Sequence, residues 1–130
     1  MGKRSTSRRL AMQILYQYDM GQQDIDSVVS LASQSESFLE ETLEFANFLV
    51  LGVLDNLAEI DKLIVEKSIG WSIERITLVD KAILRLAIYE AKFLKTPPSV
   101  VINEAVNLAK KFSTDDSSKF VNGILGNLES

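Results

Sequence analysis

The 130 residues include no cysteine and no histidine. That removes disulfides, Cys/His zinc sites, thiol nucleophiles and Ser–His or Cys–His relays together. Acid–base chemistry would fall to a perturbed carboxylate, lysine or tyrosine, and nothing in the pattern marks one. No glycine-rich phosphate loop and no Walker-type lysine motif is present. The tightest acidic pair, Asp115-Asp116, sits where helix caps belong. The expectation is therefore a chain that is not an enzyme, with no catalytic residue, no cofactor and no metal. Long apolar runs are missing too. The longest, Phe48–Leu54, falls well short of the roughly 18 residues of a membrane span. Absent cysteine fits a reducing compartment, and Gln13 and Gln17 interrupt what would be a signal-peptide core. The expected location is the cytoplasm.

What is there is helical pattern. Apolar content of 46% with 25% charged residues is ordinary for a soluble globular chain, and the length suits one domain, 1–130. No alternating strand pattern survives. Around Thr77–Leu94 the apolar positions cover most of a helical circumference, which requires other helices to wrap it. Lys81, Arg85 and Lys92 occupy the narrow arc left over, and Glu90 projects into the apolar sector, where a buried carboxylate needs a hydrogen-bond partner. Thr77 with Asp80 reads as a capping box. Leu10, Ala11, Ile14, Leu15 and Tyr18 form an earlier stripe, with Ser5 or Ser7 as cap. A short helix is expected around Ile25–Ala32. Ser37 and Glu40 launch another through Leu54, running on through Leu57–Ile64 as the same helix or a second one, and Gly52 inside it implies close packing. Gly70 ends that run, with Trp71 as a core lid just beyond. Pro97 and Pro98 stop the central helix and pre-set the next. The last stripe is Phe120, Val121, Ile124, Leu125 and Leu128; Gly123 and Gly126 lower its propensity, so a close helix contact or a ligand is expected there. The fold class is all-α, six or seven helices.

Charge is unevenly spread. Residues 21–66 hold ten acids against Lys62 alone, and the remainder carries thirteen bases and eight acids, within a total of −4. Net acidity argues against indiscriminate nucleic-acid binding, while the basic remainder still attracts phosphate locally. Three features point to binding. Lys3, Arg4, Arg8 and Arg9 cluster at the first helix, Tyr16 lies beside that helix's apolar stripe, and the last helix opens D-S-S-K-F-V-N-G. That opening combines Lys119, a stacking ring at Phe120 and the amide of Asn122. Free N–H groups at the helix start are also available to phosphate. Single-stranded RNA is held by such means: cations on the backbone, aromatics on splayed bases, amides on base edges. These residues meet in one surface only if the first helix and the start of the last are neighbours. Phe120 also fits the core periodicity.

V-D-K-A-I-L-R-L-A-I-Y-E (Val79–Glu90), P-P-S-V-V-I-N-E-A-V-N-L-A-K-K-F (Pro97–Phe112) and D-D-S-S-K-F-V-N-G-I-L (Asp115–Leu125) resemble the NusB family of transcription antitermination factors. A-M-Q-I-L-Y-Q-Y-D (Ala11–Asp19) is similar to that family's first helix, and residues 22–66 match in pattern only. The resemblance implies two small helical bundles sharing a packed core. It implies binding of boxA RNA in nascent ribosomal RNA leaders together with NusE, a ribosomal protein, in an antitermination complex that helps RNA polymerase read through terminators. Carried over by position, the N-terminal bases, Tyr16, Asp116, Lys119 and Phe120 fall at the RNA surface, and Asp80, read as an exposed capping acid, on or near the surface used with NusE. The family's first helix has a denser arginine run followed by Arg-Glu; here Ser5, Thr6 and Ser7 interrupt it and Arg9 replaces the glutamate. The alternative is a protein-interaction module or homodimer with little RNA affinity of its own. A third reading is an RNA-modifying enzyme, since domains resembling this family also occur fused to RNA cytosine methyltransferases; it would need a second polypeptide here.

Overall fold

Between Ala82 and Glu90 every residue of the Leu78–Lys92 helix is buried. The computed structural model describes residues 3–21, 40–68 and 73–128. In chain order the helices are α1 (Lys3–Asp19), α2 (Glu40–Asp55), α3 (Leu57–Lys67), α4 (Leu78–Lys92), α5 (Pro98–Phe112) and α6 (Asp115–Gly126), with a 3₁₀ turn at Ile73–Arg75 before α4. The central helix, α4, packs against each of the other five. On one flank α1 and α2 pack together, with α3 following; on the other, α5 and α6 pair closely. Both halves contribute to one apolar cluster, including Leu15, Leu49, Ile64, Ile83, Leu84, Ile88 and Val121. Fully burying a side chain such as Ile88 contributes about 1.5–3 kcal/mol. The expected all-α fold with a shared core is the observed one.

Local chemistry sets the boundaries. Thr77 caps α4, its hydroxyl oxygen accepting from the Asp80 N–H at 3.2 Å. Thr114 caps α6 in the same way, accepting from Ser117 N–H at 3.0 Å. Pro98 opens α5, where a missing N–H costs no helical bond. The run after Ser37 divides in two at Asn56, whose side-chain amide donates to the Gly52 carbonyl at 2.8 Å. Gly52 is where α2 and α4 approach. An added Cβ would lie 2.6 Å or less from ring atoms of Tyr89. The close approach expected at Gly52 is present.

Other expectations differ. The helix starts by Lys3, so Ser5 and Ser7 lie inside it rather than at its cap. Ser7 instead donates to the Thr42 carbonyl at 2.9 Å, tying α1 to α2. Arg85 is not on an exposed arc of α4. It is 6% exposed, its guanidinium gripping both Asp61 oxygens at 2.9 Å and Asp19 Oδ2 at 2.7 Å. Asp61 is accordingly engaged in an ion pair with Arg85. No close helix contact accompanies Gly123 or Gly126, because nothing lies within 4 Å of a Cβ built there. The helix expected near Ile25, the Ser37 cap, Gly70 and Trp71 lie outside the described residues.

Candidate nucleic-acid interface

Five of the expected site residues stand on α1, with Lys3, Arg4, Arg8 and Arg9 in its first half and Tyr16 near its end. Arg4 is exposed, with its guanidinium 3.8 Å from the centroid of the Phe45 ring on α2. Arg9 is half-buried and reaches Gln13 Oε1 at 3.4 Å. Tyr16 is half-buried against the core. The Lys3 side chain lies outside the described residues.

Arg8 behaves otherwise. It is 8% exposed, and Nε and Nη2 donate to the two Glu90 oxygens at 2.7 and 2.9 Å. Nη1 donates to Glu104 on α5 at 3.2 Å, and Ser5 donates to the same oxygen at 2.6 Å. Burial by itself would lower the Arg8 pKa; hydrogen bonding and attraction to Glu90, then Glu104, outweigh it and hold the guanidinium above its ordinary value. Arg8 is thus a structural clamp across three helices and adds nothing to a free basic surface. The partner anticipated for Glu90 is this arginine.

At the other site, α6 presents Asp116, Lys119 and Asn122 exposed, with Phe120 half-buried against the core edge. Its four-residue spacing puts Asp116 and Phe120 on one face, directed at the start of α4. There the two helix beginnings and the 3₁₀ turn enclose an open pocket of about 220 Å³, lined by Arg75, Thr77, Asp80, Asp116, Ser117 and Phe120 among others. Asp80 is not the exposed capping acid that the pattern suggests. The residue is 5% exposed, because α6 packs beside the start of α4, and its Oδ1 has no hydrogen-bond partner. Two further grooves border α6. One is lined by Lys110, Lys119 and Asn122, the other by Lys67, Lys119, Phe120 and Gly123. Arg75, Lys67 and Lys110 were not singled out from sequence, since isolated cations on separate helices carry no local signal.

The two clusters are not side by side. Arg8 meets α4 at Glu90, whereas Phe120 meets the pocket at Asp80. Ten residues of α4 separate those points, about 15 Å at 1.5 Å per residue. Among the described residues, Arg8 and the pocket at Phe120 therefore do not share one cleft; the two positions lie toward opposite ends of α4.

An all-helical chain wrapped on one buried helix, with a polar, aromatic-centred face on its last helix, is the class that fold and site define. The NusB family model matches residues 5–130, and the chain belongs to the NusB family. The transcription antitermination protein NusB of Treponema denticola is 43% identical over 129 residues, covering 97% of this chain and 95% of that protein. NusB of T. maritima superposes with a TM-score of 0.86 at 34% identity, over 97% of this chain and 89% of that one. A chain in a crystal structure of antitermination factors NusB and NusE in complex with dsRNA superposes with a TM-score of 0.89 at 30% identity, over 97% and 95%. No helix among the described residues is long and apolar enough to cross a membrane.

Proposed function

We propose that this chain is a cytoplasmic transcription antitermination factor, without catalytic activity, that binds boxA-type RNA together with a NusE protein and acts as one domain with the transcribing RNA polymerase. The observation that carries this reading is the opening of α6, where Phe120 shares one pocket with Asp116 and a second groove with Lys119, while exposed Lys119 and Asn122 line a third. A cation for backbone, a ring for stacking and an amide for base edges are what RNA recognition requires. Arg4 and Arg9 on α1 extend the surface as a second contact. The relative solved with NusE and dsRNA supports the same pair of partners. Titration of single- and double-stranded boxA RNA with purified protein, with and without NusE, tests it. Expected is salt-sensitive binding strengthened by NusE; no binding to either RNA at low salt sinks the reading.

A homodimer is the second reading. Phe48 and Leu51 on α2 are 51% and 52% exposed, and Phe48 continues an aromatic row through Tyr89 to Phe93. Size-exclusion chromatography with and without RNA separates the two readings: a dimer that dissociates on RNA addition has its RNA surface hidden, and a monomer at all concentrations rules the dimer out.

A further inference from the structure

The outward face of α2 carries a pattern that the fold does not use. Glu44, Phe48, Leu51 and Asp55 are all exposed, and they recur at spacings of four, three and four residues. That is the a/d repeat of a coiled-coil seam, which lines side chains up in one stripe for a second helix. The helix already has an inward stripe, Ala46, Leu49, Val50 and Val53, that is fully buried. Single exposed apolar residues are ordinary. Two of them at seam spacing, half-exposed and bracketed by acids, form a face without a partner in this chain.

Phe48 is also held in place. Its ring lies 6.2 Å from that of Phe45 and 6.5 Å from that of buried Tyr89, and Gly52 lets α2 approach Tyr89 closely. A side chain already fixed by its neighbours loses little entropy when a partner covers it.

Charge selects the occupant. Glu44 and Asp55 stand eleven residues apart in the chain, about 16 Å along the helix, one at each end of the apolar pair. Arg4 rests over the Phe45 ring, off this spacing. Acids in these positions repel phosphate and anionic lipid. They also oppose a second copy of the same face in either direction. Antiparallel pairing sets Phe48 on Leu51 but Glu44 on Asp55, and parallel pairing sets Glu44 on Glu44. Like charges placed together select against a partner; opposite charges select for one.

We propose that this face docks a cationic amphipathic helix of a protein partner, with two apolar residues on Phe48 and Leu51 and a lysine or arginine reaching each of Glu44 and Asp55. The proposal does not rest on the RNA reading, whose residues lie on α1 and α6.

The probe is a fluorescently labelled, alanine-based synthetic helix of about 18 residues, long enough to be partly helical alone. It carries lysine, leucine, leucine and lysine at the same four-three-four spacing. One control has glutamate in place of both lysines, and another has the same residues scrambled. Fluorescence anisotropy measures binding to the full chain. Expected is binding of the lysine helix that weakens as salt rises. Phe48→Ser with Leu51→Ser weakens it by on the order of tenfold or more, because both apolar anchors are lost. Glu44→Gln with Asp55→Asn weakens it about threefold and flattens the salt dependence. If the serine variant does not fold, Leu51→Gln alone takes its place, with a loss of about threefold expected. Wild type that does not bind the lysine helix, or binds the glutamate or scrambled helix equally well, overturns the proposal. Binding that none of these variants alters does the same. Wild type that self-associates in sedimentation without peptide, and becomes monomeric on Phe48→Ser with Leu51→Ser, assigns the face to a second copy and also overturns it.

Discussion

Arg8 and Glu90 meet through two parallel hydrogen bonds of 2.7 and 2.9 Å, with both side chains almost wholly removed from solvent. A planar guanidinium matched to a carboxylate in this way fixes distance and rotation at once. Here it sets how α1 lies on α4, and Glu104 extends the hold to α5.

Removing one member leaves the other charged and unpaired. Arg8→Ala is expected to destabilise the protein by about 3–5 kcal/mol, measured by urea unfolding. A paired Arg8→Met/Glu90→Leu change should recover most of that loss. An Arg8→Ala protein as stable as wild type would show that the clamp is idle. The raised guanidinium pKa contributes stability below its unfolded value and loses it only as pH rises through the folded one, so no pH dependence from Arg8 is expected in the neutral range.

Arg4→Ala is the contrasting case. Arg4 is exposed and rests over Phe45, an arrangement worth about 0.5–1 kcal/mol. Stability should fall by no more than that, while the slope of log affinity against log salt for RNA drops by about one. An unchanged slope would remove Arg4 from the RNA surface.

Gly52→Ala should destabilise by about 1–3 kcal/mol, the range for overpacking, because its new methyl collides with the Tyr89 ring. Adding Tyr89→Leu should recover part of the loss in thermal unfolding. A Gly52→Ala protein with unchanged midpoint would mean that α2 and α4 separate at little cost.

Gly123→Ala should do the opposite. The position is helical, exposed and open around its would-be Cβ, so replacing glycine gains about 0.4–1 kcal/mol. The expected outcome is a higher melting temperature. If RNA affinity falls at the same time, the groove shared with Lys67 and Lys119 lies under the strand.

Helical periodicity made the architecture legible. The near-continuous apolar circumference of Thr77–Leu94 could be satisfied only at the centre of the molecule, and α4 is there. Threonine caps and the paired prolines set helix starts through contacts within four residues, which a linear pattern carries. The polar side chains were harder to place. Arg8 and Arg85 look like surface cations in one dimension, and both are buried because acids 82, 96, 24 and 66 residues away in the chain meet them. Asp80 reads as an exposed cap until α6 covers it. Arg75 became part of a pocket only when the 3₁₀ turn reached the start of α6.

Composition and period alone therefore determined that this chain is helical, which helix lies innermost, and that His and Cys chemistry is closed to it. Folding decided which charges remain available to a ligand. Apolar burial follows local spacing, since each helix turns its stripe inward by geometry common to all helices. The pairing of an arginine with a distant carboxylate depends on where two helices cross, and a crossing is a property of the assembled core.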